Sequence, residues 1–330
     1  MLIAILLFLT SLGFATGTVE STLPDQAAVP VVGPEAVFEV TVTTLRGPSA
    51  VMFLPLMDAK TAAGEHVRLT VDTVGAPDVM VARLVSGESQ IGVLPTNVAA
   101  QLYARGVPVQ VPAAFLWGVM YVVSSANDIE RWEDLRNRTV YSISPGSTPD
   151  VLLRYLLDRN GIDPENDVTI DYRYGHIELA QMVLAGQVET AVLPEPFVTR
   201  ILDATTDYHL VLDFQTEYER FVGERYPQTA IVIRSDVFAR HRDALDEALS
   251  MIQESMATVL GDPAGAVQMA AFEEVGLPAQ TVLSAMPRLN GDYQSSAESG
   301  EAIRRYLTVL HDFDPRTTGG TVPDEDFFYR

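Results

Sequence analysis

GESQIGVLPTNVAAQL (residues 87–102) and GQVETAVLPEPFVTRIL (residues 186–202) state one pattern twice. Each runs from a glycine through a short polar stretch and a small apolar run to Val-Leu-Pro, then into the start of a helical pattern. Upstream of each lies a helix-like stretch, PDVMVARLVSG at 77–87 and IELAQMVLAG at 177–186. A glycine after such a stretch reads as a helix stop, and the short apolar run after it as a buried strand. Two copies of a helix–Gly–strand–Pro–helix unit predict two similar α/β lobes. In open α/β sheets, ligands gather at the carboxyl ends of strands, where helix N-termini point. Both Val-Leu-Pro corners belong at such ends, so the repeat predicts a cleft with one corner on each wall.

Working outward, VFEVTVTTL (37–45) alternates like a strand and ends at Arg46-Gly47-Pro48-Ser49. A helix interrupted by Pro55 follows, then a strand at 67–75, the helix opened by Ala76-Pro77-Asp78, the strand QIGVLP and the helix TNVAAQLYARG. This rhythm predicts a mainly parallel sheet covered on both faces. The extended apolar stretch 107–125 reads as the end of one lobe and a crossing into the next. The rhythm then restarts: a short helix at Trp132–Leu135, a strand at 138–144, a turn at Pro145-Gly146-Ser147-Thr148, a helix closing on Gly161, and a strand at 167–175 before the second copy of the repeat. Stretches 208–214 and 229–238 cross back, and everything from Ala239 onward reads as helical. The expected division is therefore lobe 1 at 37–120 plus 228–330 and lobe 2 at 121–227, joined by two crossover segments.

Composition narrows the setting. The 330 residues, 47% of them hydrophobic, suffice for two ordinary domains and sit far from the disordered range. LIAILLFLTSLGF (2–14) is shorter than the roughly 20 apolar residues a membrane-spanning helix needs, and Ala15-Thr16-Gly17 supplies a small-x-small cleavage site. Residues 1–17 thus read as a secretory signal, and the Pro- and Ala-rich residues 18–36 as a flexible linker. With no cysteine, disulfides, thiolate metal sites and a lipoprotein anchor are excluded. The expectation is an exported, periplasmic protein. Lys and Arg number 22 against 44 Asp and Glu, a net charge of −22 that repels nucleic acid and anionic lipid. The five histidines show no metal-ligand spacing, so neither a metal nor a cofactor is expected.

WEDLRNRTVYSISPGSTPDVLLRYLLDRNGID followed by LAQMVLAGQVETAVLPEPF resembles the second lobe of ABC-importer solute-binding proteins of the nitrate, sulfonate, taurine and thiamine-precursor type. RGPSAVMFLPLMD and SGESQIGVLPTNVAAQL are similar to their first lobe. The resemblance implies a type II periplasmic-binding fold: two Rossmann-like α/β lobes that clamp a small-molecule ligand and deliver it to an ABC permease and its ATPase subunit. A monomer without catalytic activity is the matching expectation.

Candidate ligand-binding residues follow from the strand ends, each with a plainer alternative. Arg46, Gly47 and Ser49 form a turn where the arginine fork can meet an anion and the serine can cap a helix. Ser144, Ser147 and Thr148 form the corresponding turn of lobe 2, which the resemblance places at the cleft. Thr96 and Asn97 occupy the first proline corner, and Glu195 the second. A carboxylate there either balances a helix dipole or meets a ligand N–H. Phe115 and Trp117 offer a flat wall or simply pack the crossing, and Tyr174 ends a strand beside the cleft. Glu195 and Trp117 together incline the reading toward a planar heterocycle, such as a pyrimidine precursor, over a sulfonate or carboxylate. The alternatives in other classes are an enzyme on the same fold, disfavoured because no nucleophile or acid–base set stands out, and a periplasmic sensor domain.

Overall fold

Alternating β-branched residues suit a pleated surface buried on one or both faces, and the first strands form where they occur. The structure, a computed structural model, describes residues 37–330; the expected signal peptide and linker lie outside them. Phe38–Leu45 (β1) pairs in parallel with Val67–Val74 (β3), in register from Phe38 with Val67 to Leu45 with Val74. Ala62–Ala63 (β2) edges β3, and Ile91–Pro95 (β4) lies parallel to β1 on its other side. Val109–Trp117 (β5), Pro227–Arg234 (β11) and Gly291–Ser295 (β12) complete a seven-stranded sheet in the order β12-β5-β11-β4-β1-β3-β2.

Met120–Ser124 (β6), Thr139–Tyr141 (β7), Thr169–Asp171 (β8), Thr190–Pro194 (β9) and His209–Asp213 (β10) form a second sheet in the order β10-β6-β9-β7-β8. Both sheets are mixed, not mainly parallel. Three parallel strands in each carry the repeat (β1, β3 and β4; β7, β8 and β9), and the strands entering and leaving the crossings run antiparallel to their neighbours. The architecture is two-lobed α/β, as the repeat predicted.

The extended stretch 107–125 divides at Gly118 into β5 of one sheet and β6 of the other. Gly118 has a φ of 58°, and a Cβ on it would collide with the Gln215 side chain, so only glycine fits this crossing. The return passage reaches β11 through Arg225-Tyr226-Pro227.

Two elements depart from the sequence reading. Phe214–Val222 is a helix, started by the Asp213 carboxylate accepting from the N–H of Gln215 at 2.9 Å and ended by Gly223. β12 is a strand inside the region read as wholly helical. Its residues, GDYQS, are polar and half-buried, because β12 is an edge strand with one row of backbone groups unpaired. Helices Arg242–Gly261 and Ser296–Phe313 cover the first sheet. The second of these also meets the other lobe: its Tyr306 stacks on Tyr226 at 5.9 Å and meets Tyr218 edge-on at 6.0 Å. Among the described residues no helix is long and apolar enough to cross a membrane.

Candidate functional site

The parallel strands of each sheet end in short turns, and glycines mark them. Gly47 and Gly75 follow β1 and β3, while Gly146 and Gly175 close the turns after β7 and β8. A Cβ placed on any of the four would meet nothing within 4 Å. Both rims therefore open onto empty space at the strand ends. Gly47, at φ 103° and ψ −139°, needs to be glycine for its backbone alone.

Above these turns the helices Thr96–Ala104, Thr148–Arg159 and His176–Leu184 begin without a side-chain cap. Their first N–H groups lack intrahelical partners and carry the positive end of the helix dipole. By contrast, helix Phe197–Ala204 after the second corner is closed by its own chain. The Glu195 carboxylate accepts from the Thr199 N–H and from the Thr199 hydroxyl, each at 3.0 Å.

Two hydroxyls near the strand ends stand out. Thr44, the penultimate residue of β1, and Ser142, the residue after β7, are almost wholly buried, and among the described residues neither side-chain oxygen has a hydrogen-bond partner. They occupy matching places in the two halves of the repeat. A buried hydroxyl without a partner costs about 1–3 kcal/mol, so each of the two is a polar group the fold leaves to be accounted for.

The predicted residues fall into three groups. Arg46 and Ser49 stay together at the first rim. Arg46 is exposed and, among the described residues, has no acidic side chain within ion-pairing distance; Ser49 is buried in the first turn of helix Pro48–Val51. Asn97, Ser144, Ser147 and Thr148 come together where the lobes meet. Thr148 Oγ1 donates to Asn97 Oδ1 at 3.0 Å, and Ser147 Oγ donates to the Ser144 carbonyl at 3.0 Å. Beside them, Thr96 Oγ1 donates to the Pro227 carbonyl at 2.6 Å, tying the first corner to the return passage. The third group lies inside the protein. Phe115 is fully buried, edge-on to Phe53 at 5.9 Å. Trp117 is buried at the crossing, with its indole N–H donating to the Asp292 carbonyl at 2.8 Å and Arg225 over its ring. Glu195 is fully buried and ion-paired with Arg288. Tyr174 is half-buried and stacks on Tyr141 at 5.9 Å.

Tyr172 turns away from Tyr174 and donates to Asp150 at 2.5 Å. Burial, reinforced by that carboxylate, pushes its hydroxyl pKa well up. The same Asp150 accepts from the Gly146 N–H at 2.7 Å and from Arg154 Nε at 2.7 Å, which fixes the shape of the turn. A cavity of about 610 Å³ opens beside it, between Gly146, Asp150 and Arg154 on one side and Phe313, Asp314 and Arg316 on the other.

Sequence reasoning missed His176. It is the first residue of its helix, half-buried beside Phe197, and burial holds its imidazole below the ordinary value. The signal was available: Gly175-His176 opens its helix as Gly75-Ala76-Pro77 opens the corresponding helix of the first lobe.

Comparison with known proteins bears on the family and the fold. Residues 53–275 match the family described as "ABC transporter, phosphonate, periplasmic substrate-binding protein". The nitrate/nitrite binding protein NrtA of Synechococcus elongatus is 30% identical over 152 residues, 45% of this chain; the match spans about a third (32%) of that relative's length. The crystal structure of an ABC transporter from Parabacteroides distasonis superposes with a TM-score of 0.72 at 26% identity, over 88% of this chain and 98% of that one. The aliphatic sulphonate binding protein SsuA of Escherichia coli gives 0.71 at 13% identity, over 89% and 93%. The nitrate-binding protein NrtA of Synechocystis PCC 6803 gives 0.63 at 14% identity, over 87% and 85%; for these last two the likeness is one of fold.

Proposed function

This chain belongs to the ABC-transporter phosphonate periplasmic substrate-binding protein family, and from that premise we propose that it is an exported, non-catalytic receptor for a small oxyanion. It traps the anion between its two sheets and hands it to a membrane permease driven by an ATPase subunit. The observation that carries this reading is the matched pair of partnerless buried hydroxyls, Thr44 and Ser142, beside strand ends that open onto empty space.

The chemistry around them suits sulfonates, phosphonates, carboxylates and nitrate, which share a compact, acceptor-only oxygen face. Uncapped N–H groups at Thr96, Thr148 and His176 donate to such oxygens, and helix dipoles favour the negative charge. Arg46 adds a full positive charge and a two-pronged fork at the first rim. Ser49, Ser144, Ser147 and the backbone at Gly47 complete the donor set, and Tyr174 on Tyr141 offers a face to any organic substituent. The pairing of Glu195 with Arg288 removes the argument for a ligand bearing N–H groups.

Closure supplies the function. An anion held by donors from both rims binds the closed arrangement better than the open one and shifts the population toward it. No bond in the ligand need change.

Thermal unfolding with methanesulfonate, methylphosphonate, nitrate and acetate tests the reading. An anion present at 100 times its dissociation constant adds about 2.7 kcal/mol of stability. Stabilisation by neutral heterocycles and by none of the anions would overturn it, and turnover of any of these compounds would reassign the protein as an enzyme.

A further inference from the structure

The segment Met286–Asp292, which links the C-terminal short helices to β12, reaches both passages between the sheets and the proline corner of the second. The Asn290 amide donates to the Gly118 carbonyl at 2.9 Å, and the Asn290 carbonyl accepts from the Trp117 N–H at 3.2 Å. Asp292 pairs with Arg225 on the return passage at 3.1 Å while its carbonyl holds the Trp117 indole. Just ahead of both, Arg288 meets the second sheet. Its Nε donates to Glu195 Oε1 and its Nη2 to the Thr199 hydroxyl, while its own carbonyl accepts from Tyr121 at 3.2 Å. From Gly291 onward the chain is β12 of the first sheet, antiparallel to β5.

The Glu195 carboxylate is fully buried, whereas the Arg288 side chain is 35% exposed. A buried carboxylate is tolerated only while it is paired. The second corner therefore cannot turn away from Arg288 without leaving a charge unpaired in a dry environment. Arg288 is held to the second sheet through Glu195, Thr199 and Tyr121, and only Leu289 and Asn290 separate it from β12 of the first sheet, so this short tether resists rotation of one lobe against the other.

We propose that Met286–Asp292 is a third strap across the hinge, and that Arg288 is a positioning residue coupling the interlobe angle to the placement of the Pro194–Pro196 corner. The inference rests on the reading that the lobes close on a ligand. It makes the hinge stiffer than two single-strand crossings would be, so the ligand-free protein holds a narrow range of angles with the second rim already set.

The native chain has no cysteine, so cysteines introduced at the exposed positions Val85 and Asp158, one on each lobe, take a pair of spin labels cleanly. Distances are measured by pulsed electron resonance on the full chain without ligand, in the parent, in Arg288→Lys, and in Arg288→Met combined with Glu195→Gln. The expected result is a single narrow distribution in the parent and a broader one with a longer component in both variants, widest in the double variant. Methanesulfonate serves as the binding probe: if the competent arrangement falls to about a tenth of the molecules, apparent affinity weakens roughly tenfold. Distributions identical to the parent, with only a lower melting temperature, would make Arg288 a structural residue and overturn the proposal. Failure of both variants to fold would overturn it too. If methanesulfonate and the other anions bind none of the proteins, the oxyanion reading fails, while the ligand-free distances still decide the strap.

Discussion

Asn97 and Thr148 start helices on different sheets and bond to each other across the 3.0 Å between Thr148 Oγ1 and Asn97 Oδ1, with both residues fully buried. The Asn97 amide reaches on to the Gly146 carbonyl at 3.5 Å, and Tyr306 donates to the Thr148 hydroxyl at 3.4 Å. The first proline corner thus touches the opposite lobe, while the second is held by Arg288, which lies just ahead of β12. Each corner therefore reaches beyond its own sheet, and at the first corner the contact falls on the Gly146 turn itself.

Replacing Asn97 by Ala removes the acceptor of the buried Thr148 hydroxyl and the amide donor to the Gly146 carbonyl. The expected loss is about 1–3 kcal/mol, read by urea unfolding, together with a larger radius of gyration in solution scattering. In a double-mutant cycle with Thr148→Val the two losses should overlap by about 1 kcal/mol, since each removes the same bond. Strict additivity would mean that the bond carries no energy.

Gly118→Ala places a methyl group where the Gln215 side chain packs and forces alanine to a φ of 58°. Gln215 would have to give up the bond in which its Oε1 accepts from the Tyr226 N–H at 3.2 Å, so both passages are disturbed at once. A loss of roughly 2–4 kcal/mol is expected from strain and the broken bond together. Calorimetric unfolding of the variant measures it, and a melting point equal to the parent's would show that the crossing is not confined to glycine.

Much of this was legible in the chain. Val-Leu-Pro after a helix-stopping glycine has one physical reading, and both copies fold as read. The helix Phe214–Val222 and β12 were not legible, because a short amphipathic run and a polar edge strand carry weak periodicity and take their form from neighbours distant in sequence. Glu195 shows the same limit at the site. A carboxylate at a helix start announces a charge that needs a partner, but Arg288 lies 93 positions further on, and nothing local says that the two meet. Thr44 and Ser142 look like ordinary strand-end residues in the sequence, and only the fold buries their hydroxyls without a partner among the described residues.

Glu247 illustrates a carboxylate used for structure alone. It accepts from the N–H groups of Glu65 and His66, each at 2.7 Å, and of Val67 at 3.1 Å, pinning the start of β3 to helix Arg242–Gly261. Its partial burial opposes ionisation, but the three backbone donors prevail and hold its carboxyl below the ordinary range. Its contribution is therefore complete above the unfolded value of about 4.3 and is lost as pH falls through the lower folded value. Glu247→Gln should cost roughly 1 kcal/mol at neutral pH, a figure reduced for solvent screening. Urea unfolding at stepped pH should show a shallower acid limb than the parent; parallel limbs would remove the carboxylate from the account.

Arg46 separates binding from stability. It is exposed and lacks an acidic partner among the described residues, so Arg46→Gln should leave the melting temperature unchanged. Removing a charge-assisted bond to an anion, however, weakens binding roughly ten- to hundredfold. Isothermal titration with methanesulfonate reads both the affinity and the salt dependence. Unchanged affinity would place the anion elsewhere.

His176 supplies the pH dependence. Burial lowers its folded pKa, so the free protein keeps a neutral imidazole below the ordinary value of about 6.5. The sign for stability follows: the folded state binds fewer protons than the unfolded chain, so this contribution is complete above the unfolded pKa and declines as pH falls through it toward the lower folded value. An anion bound at the same helix start attracts a proton back onto the ring, which raises the pKa in the complex. Binding then takes up a proton, and affinity rises as pH falls between the value in the complex and the lower value in the free protein. Methanesulfonate keeps a constant charge throughout, so titrations between about pH 8 and pH 5.5 should show several-fold tighter binding at the acid end. In His176→Gln, which retains a hydrogen-bonding side chain but cannot titrate, that slope should vanish. A slope that survives the substitution would assign the proton to another group and take His176 out of the site.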